Sequence, residues 1–441
     1  MTRTELHNSL LKPLKQRMSR LSRRAIFSLL PLLFAVPAFQ ALGAGPLPAD
    51  DAAIELLQQG AQEKALDELQ KGFSLFPYDE SIRKRLTTAY GEMGKRQLKR
   101  MQFDEAAENF ENARKLSPYT QEYGILKGIA LYAGKKYDAA AVELEQARRN
   151  GGDNLPILLY LGHVYYDTGD LEKAIEEWDR VLAMEPGNKH IRDMAAKARR
   201  ELAVESRMER GYSSMFVISY DEGTRSELAD TVLDTMEAAY NRVGYDLSHY
   251  PVTRVPVILY TKRDFRSVTA GPDWSGGLYD GKVRLPIGGA TEITPMLRGV
   301  LFHEFTHVVV AELTKGNCPT WLNEGLAEVE GRKEFSPPVT ELEMAAKTGE
   351  FIPFKALEKS LSSLDTKKAA LAYQQSYSLV SFMITAYGMH KVREILVNLG
   401  SGMGSEAAIA GAFADYRLDF DGISQEWRAH MRKEYGSQLS N

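Results

Sequence analysis

The stretch LFHEFTHVVVAELTKGNCPTWLNEGLAEVEG at residues 301–331 decides how the C-terminal half of the chain folds. Its first part is strongly apolar and holds two histidines, His303 and His307, at the i and i+4 positions of one helix face. The segment TKGNCP at 314–319 breaks this helix. We expect a second helix to begin near Thr320 and to run antiparallel to the first. The stretch therefore predicts two neighbouring helices that bring histidines and carboxylates together.

The spacing of the two histidines suits a metal ion. Two imidazoles one turn apart can bind one tetrahedral zinc ion at about 2.0–2.1 Å. The alternative is a pair of core histidines satisfied by hydrogen bonds, but burying them with a glutamate in so apolar a helix is costly without compensation. A single cysteine, Cys318, excludes a cysteine cluster. Glu324, 17 residues after His307, is the best third ligand, so we expect one Zn²⁺ held by His303, His307 and Glu324, with one open position.

Two further carboxylates lie close to these ligands in sequence. Glu304 follows the first histidine and points to a neighbouring side of the helix, from which it can act as the general base on a water molecule at the metal. Glu328 lies one turn after Glu324. It either accepts a hydrogen bond from a ligand imidazole or is an ordinary surface carboxylate, and the residues leave both readings open.

The motif pair HEFTH and WLNEGLAE resembles the gluzincin zinc metallopeptidases of the MA clan, and WLNEG is similar to the third-ligand motif of aminopeptidases related to leukotriene hydrolase. The combination with helical repeats at residues 51–210 and an export signal at residues 1–44 resembles a group of exported bacterial proteins called peptidase MA-like. The resemblance implies the same metal ligands and the same general base, Glu304, as the residues do. It covers about 30 residues and is specific for metal and reaction class, not for substrate.

The resemblance implies more at two other stretches. The stretch AYQQSYSLVSFM at 372–383 resembles the aminopeptidase helix whose tyrosine stabilises the oxyanion. Tyr373 is the matching residue, and Tyr377 follows one turn later. The alternative is that both tyrosines are core aromatics. The stretch GLYDGKVRLPIGG at 277–289 predicts a hairpin about Asp280–Gly281. It precedes the metal helix, as the substrate-pairing edge strand does in gluzincins. The resemblance therefore implies that Val283–Ile287 pairs with an extended peptide. The GAMEN-like stretch that holds a substrate's free amine in those aminopeptidases is missing. This departure favours an endopeptidase, or an unusual substrate, over an exopeptidase.

Residues 51–210 repeat with a period of 34. Three sets of positions carry the register: Phe103, Tyr137 and Leu171; Ala106, Ala140 and Ala174; and the pairs Gly128–Gly162 and Tyr132–Tyr166. This period and these small residues indicate helix-turn-helix repeats of the tetratricopeptide type. We expect three full repeats, a partial repeat at 52–77 and a capping helix at 188–210. One full repeat has about seven extra residues, which we expect to form a longer helix through GEMGKRQLKRMQF at 91–103. Such arrays offer a concave surface to peptide or protein partners.

The N-terminal 44 residues are basic, with a net charge of +6, whereas the rest of the chain carries −10. The acidic body argues against nucleic acid as a partner. The basic start leads into the apolar run AIFSLLPLLFAVPAFQALGA at 25–44, the layout of a signal peptide, with Met18 as a possible alternative start. An uncleaved membrane anchor is the alternative. Either reading predicts export, to the periplasm or beyond, with inner-membrane anchoring as the variant.

Together these observations predict an all-α tetratricopeptide solenoid followed by an α+β gluzincin-type metallopeptidase domain with a small mixed sheet and a helical lobe. The expected boundaries are 1–44 for the signal peptide, 45–210 for the repeats and capping helix, and 211–441 for the metallopeptidase-like domain. The predicted function is an exported zinc-dependent peptidase whose repeats bind protein or substrate. The alternative is a catalytically silent periplasmic scaffold that retains the peptidase fold.

Overall fold

The computed structural model describes residues 62–221, 223–269, 277–287, 290–358, 361 and 364–435 of the 441-residue chain. The predicted signal peptide at 1–44 and the first part of the partial repeat, 52–61, lie outside these residues. Among the residues that are described, no helix has both the length and the apolar composition that crossing a membrane requires.

The described chain divides into two compact units, the first ending at Leu202 and the second beginning at Ala203. The boundary predicted from the sequence was residue 210, eight residues later. Val204 and Met208 lie with the second unit because their side chains pack against a cluster around Tyr260.

Helices joined by short turns form the first unit. They are α1 (Gln62–Leu75), α2 (Glu80–Lys99), α3 (Phe103–Leu116), α4 (Gln121–Ala133), α5 (Tyr137–Gly151), α6 (Leu155–Asp167), α7 (Leu171–Met184) and α8 (Lys189–Glu205). The pairs α2–α3, α4–α5 and α6–α7 are the three predicted full repeats. Helix α8 is the capping helix, and its last three residues, 203–205, belong to the second unit. The predicted helical-repeat fold of this region is confirmed.

Small residues in the 34-residue register let the two helices of each repeat pack closely. In each repeat a glycine of the first helix faces a large residue 16 positions later on the second, and a Cβ at the glycine would lie no more than 2.7 Å from it. The pairs are Gly94–Phe110, Gly128–Leu144 and Gly162–Trp178. The alanines of the register, Ala106, Ala140 and Ala174, are fully buried. Any larger side chain at these positions would push the helices apart.

The seven extra residues of the first full repeat lengthen helix α2, which has 20 residues where α4 and α6 have 13. The extension lies at the N-terminal end of α2, and not across 91–103 as the sequence suggested. The helix ends at Lys99 because Met101 adopts a left-handed conformation with φ +63°. Lys135 and Gly169, 34 and 68 residues later, adopt the same conformation. The turn between the helices is therefore part of the repeat.

The second unit contains one five-stranded mixed sheet in the order β1–β2–β3–β5–β4. The strands are β1 (Glu209–Tyr212), β2 (Phe216–Tyr220), β3 (Val255–Leu259), β4 (Leu278–Tyr279) and β5 (Val283–Leu285). The central pairs β2–β3 and β3–β5 are parallel, whereas β1–β2 and β4–β5 are antiparallel. The β4–β5 pair turns at Asp280–Gly281, where Gly281 has φ +105°, so the predicted hairpin is confirmed.

Helices cover this sheet and make up the rest of the unit. They are α9 (Ser226–Leu247), α10 (Lys262–Thr269), α11 (Pro295–Leu313), α12 (Thr320–Arg332), α13 (Thr340–Thr348), α14 (Phe354–Leu357), α15 (Thr366–Tyr387), α16 (Met389–Gly400), α17 (Ser405–Ala412), a 3₁₀ turn (Ala414–Tyr416) and α18 (Phe420–Tyr435). Alternate residues of the strands, such as Ile218, Val257 and Leu285, share one core with α9, α11 and α12. The predicted small mixed sheet with a helical lobe is confirmed.

Candidate metal centre

Helices α11 and α12 cross at two glycines. A Cβ on Gly331 would lie 2.8 Å from the carbonyl oxygen of Gly299 and 3.3 Å from Cβ of His303. Gly299 lies early in α11 and Gly331 near the end of α12, whereas His307, later in α11, faces Glu324, early in α12. The contacts therefore run in opposite order along the two helices, which makes them antiparallel. This close crossing brings the side chains of both helices to a common point.

Three side chains meet between the two helices. The Nε2 atoms of His303 and His307 lie 3.2 Å apart. Oε2 of Glu324 is 3.6 Å from Nε2 of His303 and 3.5 Å from Nε2 of His307. One ligand atom from each of the three residues lies within 4.8 Å of the other two. The structure thus brings together the three residues that the sequence predicts as ligands.

The separations fit a tetrahedral ion. Ligand atoms at 2.0–2.1 Å from a tetrahedral centre lie about 3.3 Å from each other, close to the observed 3.2, 3.5 and 3.6 Å. Two imidazoles and one carboxylate are a donor set that zinc accepts. The side chains of His303 and Glu324 are 18% and 16% exposed, so water can reach the point on which they converge.

The charges around this point favour a cation. Burial lowers the pKa of His303, but the contact with the carboxylate of Glu324 at 3.6 Å and the charges of Glu304 and Glu328 outweigh it and raise that pKa to about 9. Burial also lowers the pKa of His307, and its net shift is downward, so this imidazole stays neutral. Burial raises the pKa of Glu324, whereas His307 and His303 lower it more, so this carboxylate stays ionised. A proton or a metal ion must offset the surplus of negative charge.

Glu304 lies beside the ligands with its carboxylate buried. The residue is 5% exposed, and among the described residues its Oε2 accepts no hydrogen bond. Burial raises its pKa to about 7, with Glu324 and Asp280 adding to the rise and His303 opposing it. A Cβ on Gly277 would lie 2.5 Å from Oε1 of Glu304, so a larger residue there would displace this carboxylate. A carboxylate with a pKa near neutrality and an open oxygen is suited to proton transfer.

Glu328 lies on the side of His303 away from the other ligands. Its Oε1 is 3.5 Å from Nδ1 of His303, and its Oε2 accepts a hydrogen bond of 2.8 Å from Nε of Arg332. The sequence left open whether Glu328 faces a ligand or the solvent, and the structure places it next to the ligand. The sequence analysis did not identify Arg332, although its position four residues after Glu328 on one helix indicates an ion pair between them.

The two tyrosines of α15 differ in their surroundings. Burial raises the pKa of Tyr373, and the negative charges of Glu324, Glu304 and Glu328 raise it further, so the phenol lies within electrostatic reach of the site and stays protonated. The ring of Tyr377 lies under the guanidinium of Arg332, with 4.4 Å from Cζ to the ring centroid. Tyr373 is therefore close enough to the three carboxylates to interact with their charges, whereas Tyr377 contacts the site through Arg332.

One prediction about substrate binding is wrong. The sequence predicted that Val283–Ile287 pairs with an extended peptide, but Val283–Leu285 is strand β5, which has β3 on one side and β4 on the other. The edge strand is β4 (Leu278–Tyr279), which follows Gly277 directly. The edge of the sheet next to Glu304 is therefore the first strand of the hairpin, not the second.

Comparisons with known proteins agree with both halves of the chain. The family model of the Peptidase MA superfamily matches residues 245–433, and two tetratricopeptide repeat models match residues 92–154 and 130–198. A thermophilic tetratricopeptide protein of Thermus thermophilus is 20% identical, with 33% of this chain and 77% of that chain covered and a TM-score of 0.23.

A second similar structure is the TPR2AB-domain:pHSP90 complex of yeast Sti1, 16% identical, with 67% of this chain and 98% of that chain covered and a TM-score of 0.26. A search of curated proteins finds no match. The family models match the two regions in the order in which the sequence predicts them. The chain therefore carries a Peptidase MA superfamily domain at residues 245–433, preceded by tetratricopeptide repeats.

Proposed function

We propose that the protein is a zinc-dependent metallopeptidase that hydrolyses peptide bonds at the site formed by α11 and α12. The observation that carries this proposal is the convergence of His303, His307 and Glu324, whose donor atoms lie 3.2–3.6 Å apart, next to a buried carboxylate with an open oxygen. A zinc ion held there supplies a Lewis acid that lowers the pKa of water and polarises a carbonyl group.

Glu304 moves the protons in this proposal. With a pKa raised to about 7 by burial, its carboxylate can take a proton from the attacking water and, once protonated, pass it to the nitrogen of the leaving amine. Its position against Gly277 holds the carboxylate at the start of β4. The atoms balance, because water adds across the amide bond and one acid and one amine leave.

Tyr373 donates a hydrogen bond in the same scheme. Its pKa is raised by burial and by the neighbouring carboxylates, so its hydroxyl keeps its proton and can stabilise the negative charge that develops on the carbonyl oxygen. An extended peptide laid along β4 would bring its carbonyl beside Glu304. The missing GAMEN-like stretch favours cleavage within a chain over removal of terminal residues.

The repeats and the N-terminal segment complete the proposal. The tetratricopeptide repeats bind a protein partner or deliver the substrate, as arrays of this type offer a concave surface to peptides. The basic and apolar residues 1–44 direct export, with the periplasm as the destination and anchoring in the inner membrane if the segment stays uncleaved. N-terminal sequencing of the protein from the envelope fraction tests both points: cleavage near residue 44 supports a signal peptide, whereas an intact N-terminus supports the anchor.

The decisive experiment compares the wild type with Glu304→Gln and with the matched control Glu406→Gln, an exposed glutamate of the same unit. We expect all three proteins to bind one zinc ion, and the wild type and the control to cleave casein or members of a peptide library. Cleavage by Glu304→Gln should fall about 10²–10⁴-fold. Chelation of the metal should abolish cleavage, and added zinc should restore it. If all three bind zinc and none cleaves any peptide, the catalytically silent scaffold is the correct function.

A further inference from the structure

Arg332, the last residue of α12, is held on three sides. Its side chain is 7% exposed. Its Nε donates to Oε2 of Glu328 at 2.8 Å, and its Nη1 donates to the carbonyl oxygen of Pro337 at 2.7 Å. Its guanidinium lies over the ring of Tyr377, with Cζ 4.4 Å from the centroid. A buried guanidinium with these three contacts has little freedom to move.

The contact with Glu328 fixes the orientation of a carboxylate that faces the metal ligand. Because Arg332 holds Oε2 of Glu328, the other oxygen, Oε1, points to Nδ1 of His303, 3.5 Å away. A metal-bound imidazole needs an acceptor at its second nitrogen, since this keeps the proton there and leaves Nε2 free for the ion. Arg332 thus acts on His303 through Glu328, without touching the metal site.

Arg332 also balances the charge of the site. The carboxylates of Glu304, Glu324 and Glu328 all act on His303, and Arg332 forms an ion pair with the last of them. A divalent ion and one guanidinium together offset three carboxylates. Without Arg332, the bound ion would leave one partly buried negative charge uncompensated.

The stacking on Tyr377 links the metal ligands to another helix. Tyr377 belongs to α15 and lies one turn after Tyr373, the proposed oxyanion donor. The backbone of α15 also lies directly against α12, because a Cβ on Gly325 would be 2.5 Å from the carbonyl oxygen of Ser376. The Arg332–Tyr377 contact therefore fixes α15 at the end of α12 that faces His303.

We propose that Arg332 is a positioning residue of the metal centre: it holds Glu328 against His303 and, by stacking on Tyr377, keeps the helix of Tyr373 in place. This inference rests on the proposed metal-binding function of the site. It assigns no catalytic step to Arg332, because the contacts that carry the inference are those of the guanidinium with Glu328, Pro337 and Tyr377.

The test measures the zinc dissociation constant of the full-length protein by competition with a chromogenic chelator. Arg332→Gln should bind zinc about 10–100-fold more weakly than the wild type. Arg332→Lys should be intermediate, because lysine keeps the charge and loses the planar stacking and the two-sided hydrogen bonding. Tyr377→Phe should match the wild type within about twofold, whereas Tyr377→Leu should bind zinc more weakly, since cation–π contact needs the ring and not the hydroxyl.

A matched control and a spectroscopic readout separate positioning from general loss of structure. Arg393→Gln removes an arginine of the same unit that donates to the carbonyl oxygens of Asp246 and Tyr245, and it should leave the zinc dissociation constant unchanged. In cobalt-substituted protein, Arg332→Gln should shift the visible absorption bands and Arg393→Gln should not. If circular dichroism shows that Arg332→Gln is unfolded, the Tyr377→Leu and Tyr377→Phe pair decides the question.

The outcomes distinguish the two proposals. If the wild type binds zinc and Arg332→Gln binds it within twofold with the same cobalt spectrum, the positioning role is refuted and the metal centre stands. If the wild type binds no zinc, the metal centre itself is refuted, and the role of Arg332 fails with it.

Discussion

Gly331→Ala should weaken zinc binding while the protein stays folded. Gly331 lies where α12 crosses α11, and a methyl group there would be 2.8 Å from the carbonyl oxygen of Gly299 and 3.3 Å from Cβ of His303. Both neighbours belong to the backbone or lie next to it, so neither can rotate away. The helices must separate for the methyl group to fit.

The size of the separation follows from the contact distance. Ordinary carbon contacts begin near 3.4 Å, so the crossing must open by about 0.6 Å. Overpacking of this kind costs about 1–3 kcal/mol, and the higher helix propensity of alanine returns about 1 kcal/mol, so the free energy of unfolding should fall by about 0–2 kcal/mol. Metal sites tolerate ligand displacements of about 0.2 Å, so zinc affinity should fall at least about tenfold.

The assay pairs urea unfolding of the metal-free protein with zinc titration against a chelator. The control is Gly404→Ala, because Gly404 has φ −71° and no heavy atom within 4 Å of the added methyl group among the residues described. The control should leave the zinc dissociation constant unchanged. A zinc dissociation constant for Gly331→Ala within twofold of the wild type would refute the claim that the glycine crossing sets the geometry of the ligands.

Two further predictions concern a tyrosine of the site and a histidine of the repeats. Tyr373→Phe should lower kcat about 10²–10³-fold with little change in KM or zinc affinity, since it removes a donor used in the transition state; an unchanged kcat would assign the tyrosine to packing. His163 is 1% exposed, and its burial, with a smaller effect of His190, lowers its pKa to about 3. Below pH 6.5 the unfolded chain binds a proton at this imidazole and the folded chain does not, so stability that is present above pH 6.5 is lost as the pH falls towards 3. Hydrogen exchange of the α6 amides should show that the wild type loses about 2 kcal/mol more than His163→Leu between pH 7 and pH 5, and equal losses would contradict this.

Much of the fold follows from local patterns in the sequence. The 34-residue register predicts the three helix pairs because small residues recur where the two helices of each repeat pack together. Gly128 and Ala140 and their equivalents in the other repeats are these residues. The i and i+4 spacing of His303 and His307 places both imidazoles on one side of α11, and the structure brings Glu324 to the same point. These are consequences of helix geometry, which acts over short distances along the chain.

Features that depend on pairing between distant segments could not be predicted from the sequence in this way. The order of strands in the sheet makes β4 the edge, whereas Val283–Leu285, which the sequence favoured for peptide pairing, is paired on both sides. The crossing at Gly299 and Gly331 and the contact between Arg332 and Tyr377 join residues far apart in sequence. No periodicity encodes such contacts, because they arise only when helices pack.

The position of the extra residues in α2 is another feature that the sequence pattern does not predict. The repeat register reveals that about seven residues are extra, but not the end of the helix at which they lie. The left-handed conformation of Met101 ends α2 at the same register as Lys135 and Gly169, so the extra residues can only lengthen the N-terminal end. Methionine gives no signal for this conformation, whereas Gly169 does.

The most direct test of the metal centre is an anomalous difference map measured at the zinc edge from crystals grown with zinc. We predict one strong peak about 2.0–2.1 Å from Nε2 of His303, Nε2 of His307 and a carboxylate oxygen of Glu324, with Glu304 outside bonding distance. A peak elsewhere, or no peak with these three side chains pointing apart, would contradict the account.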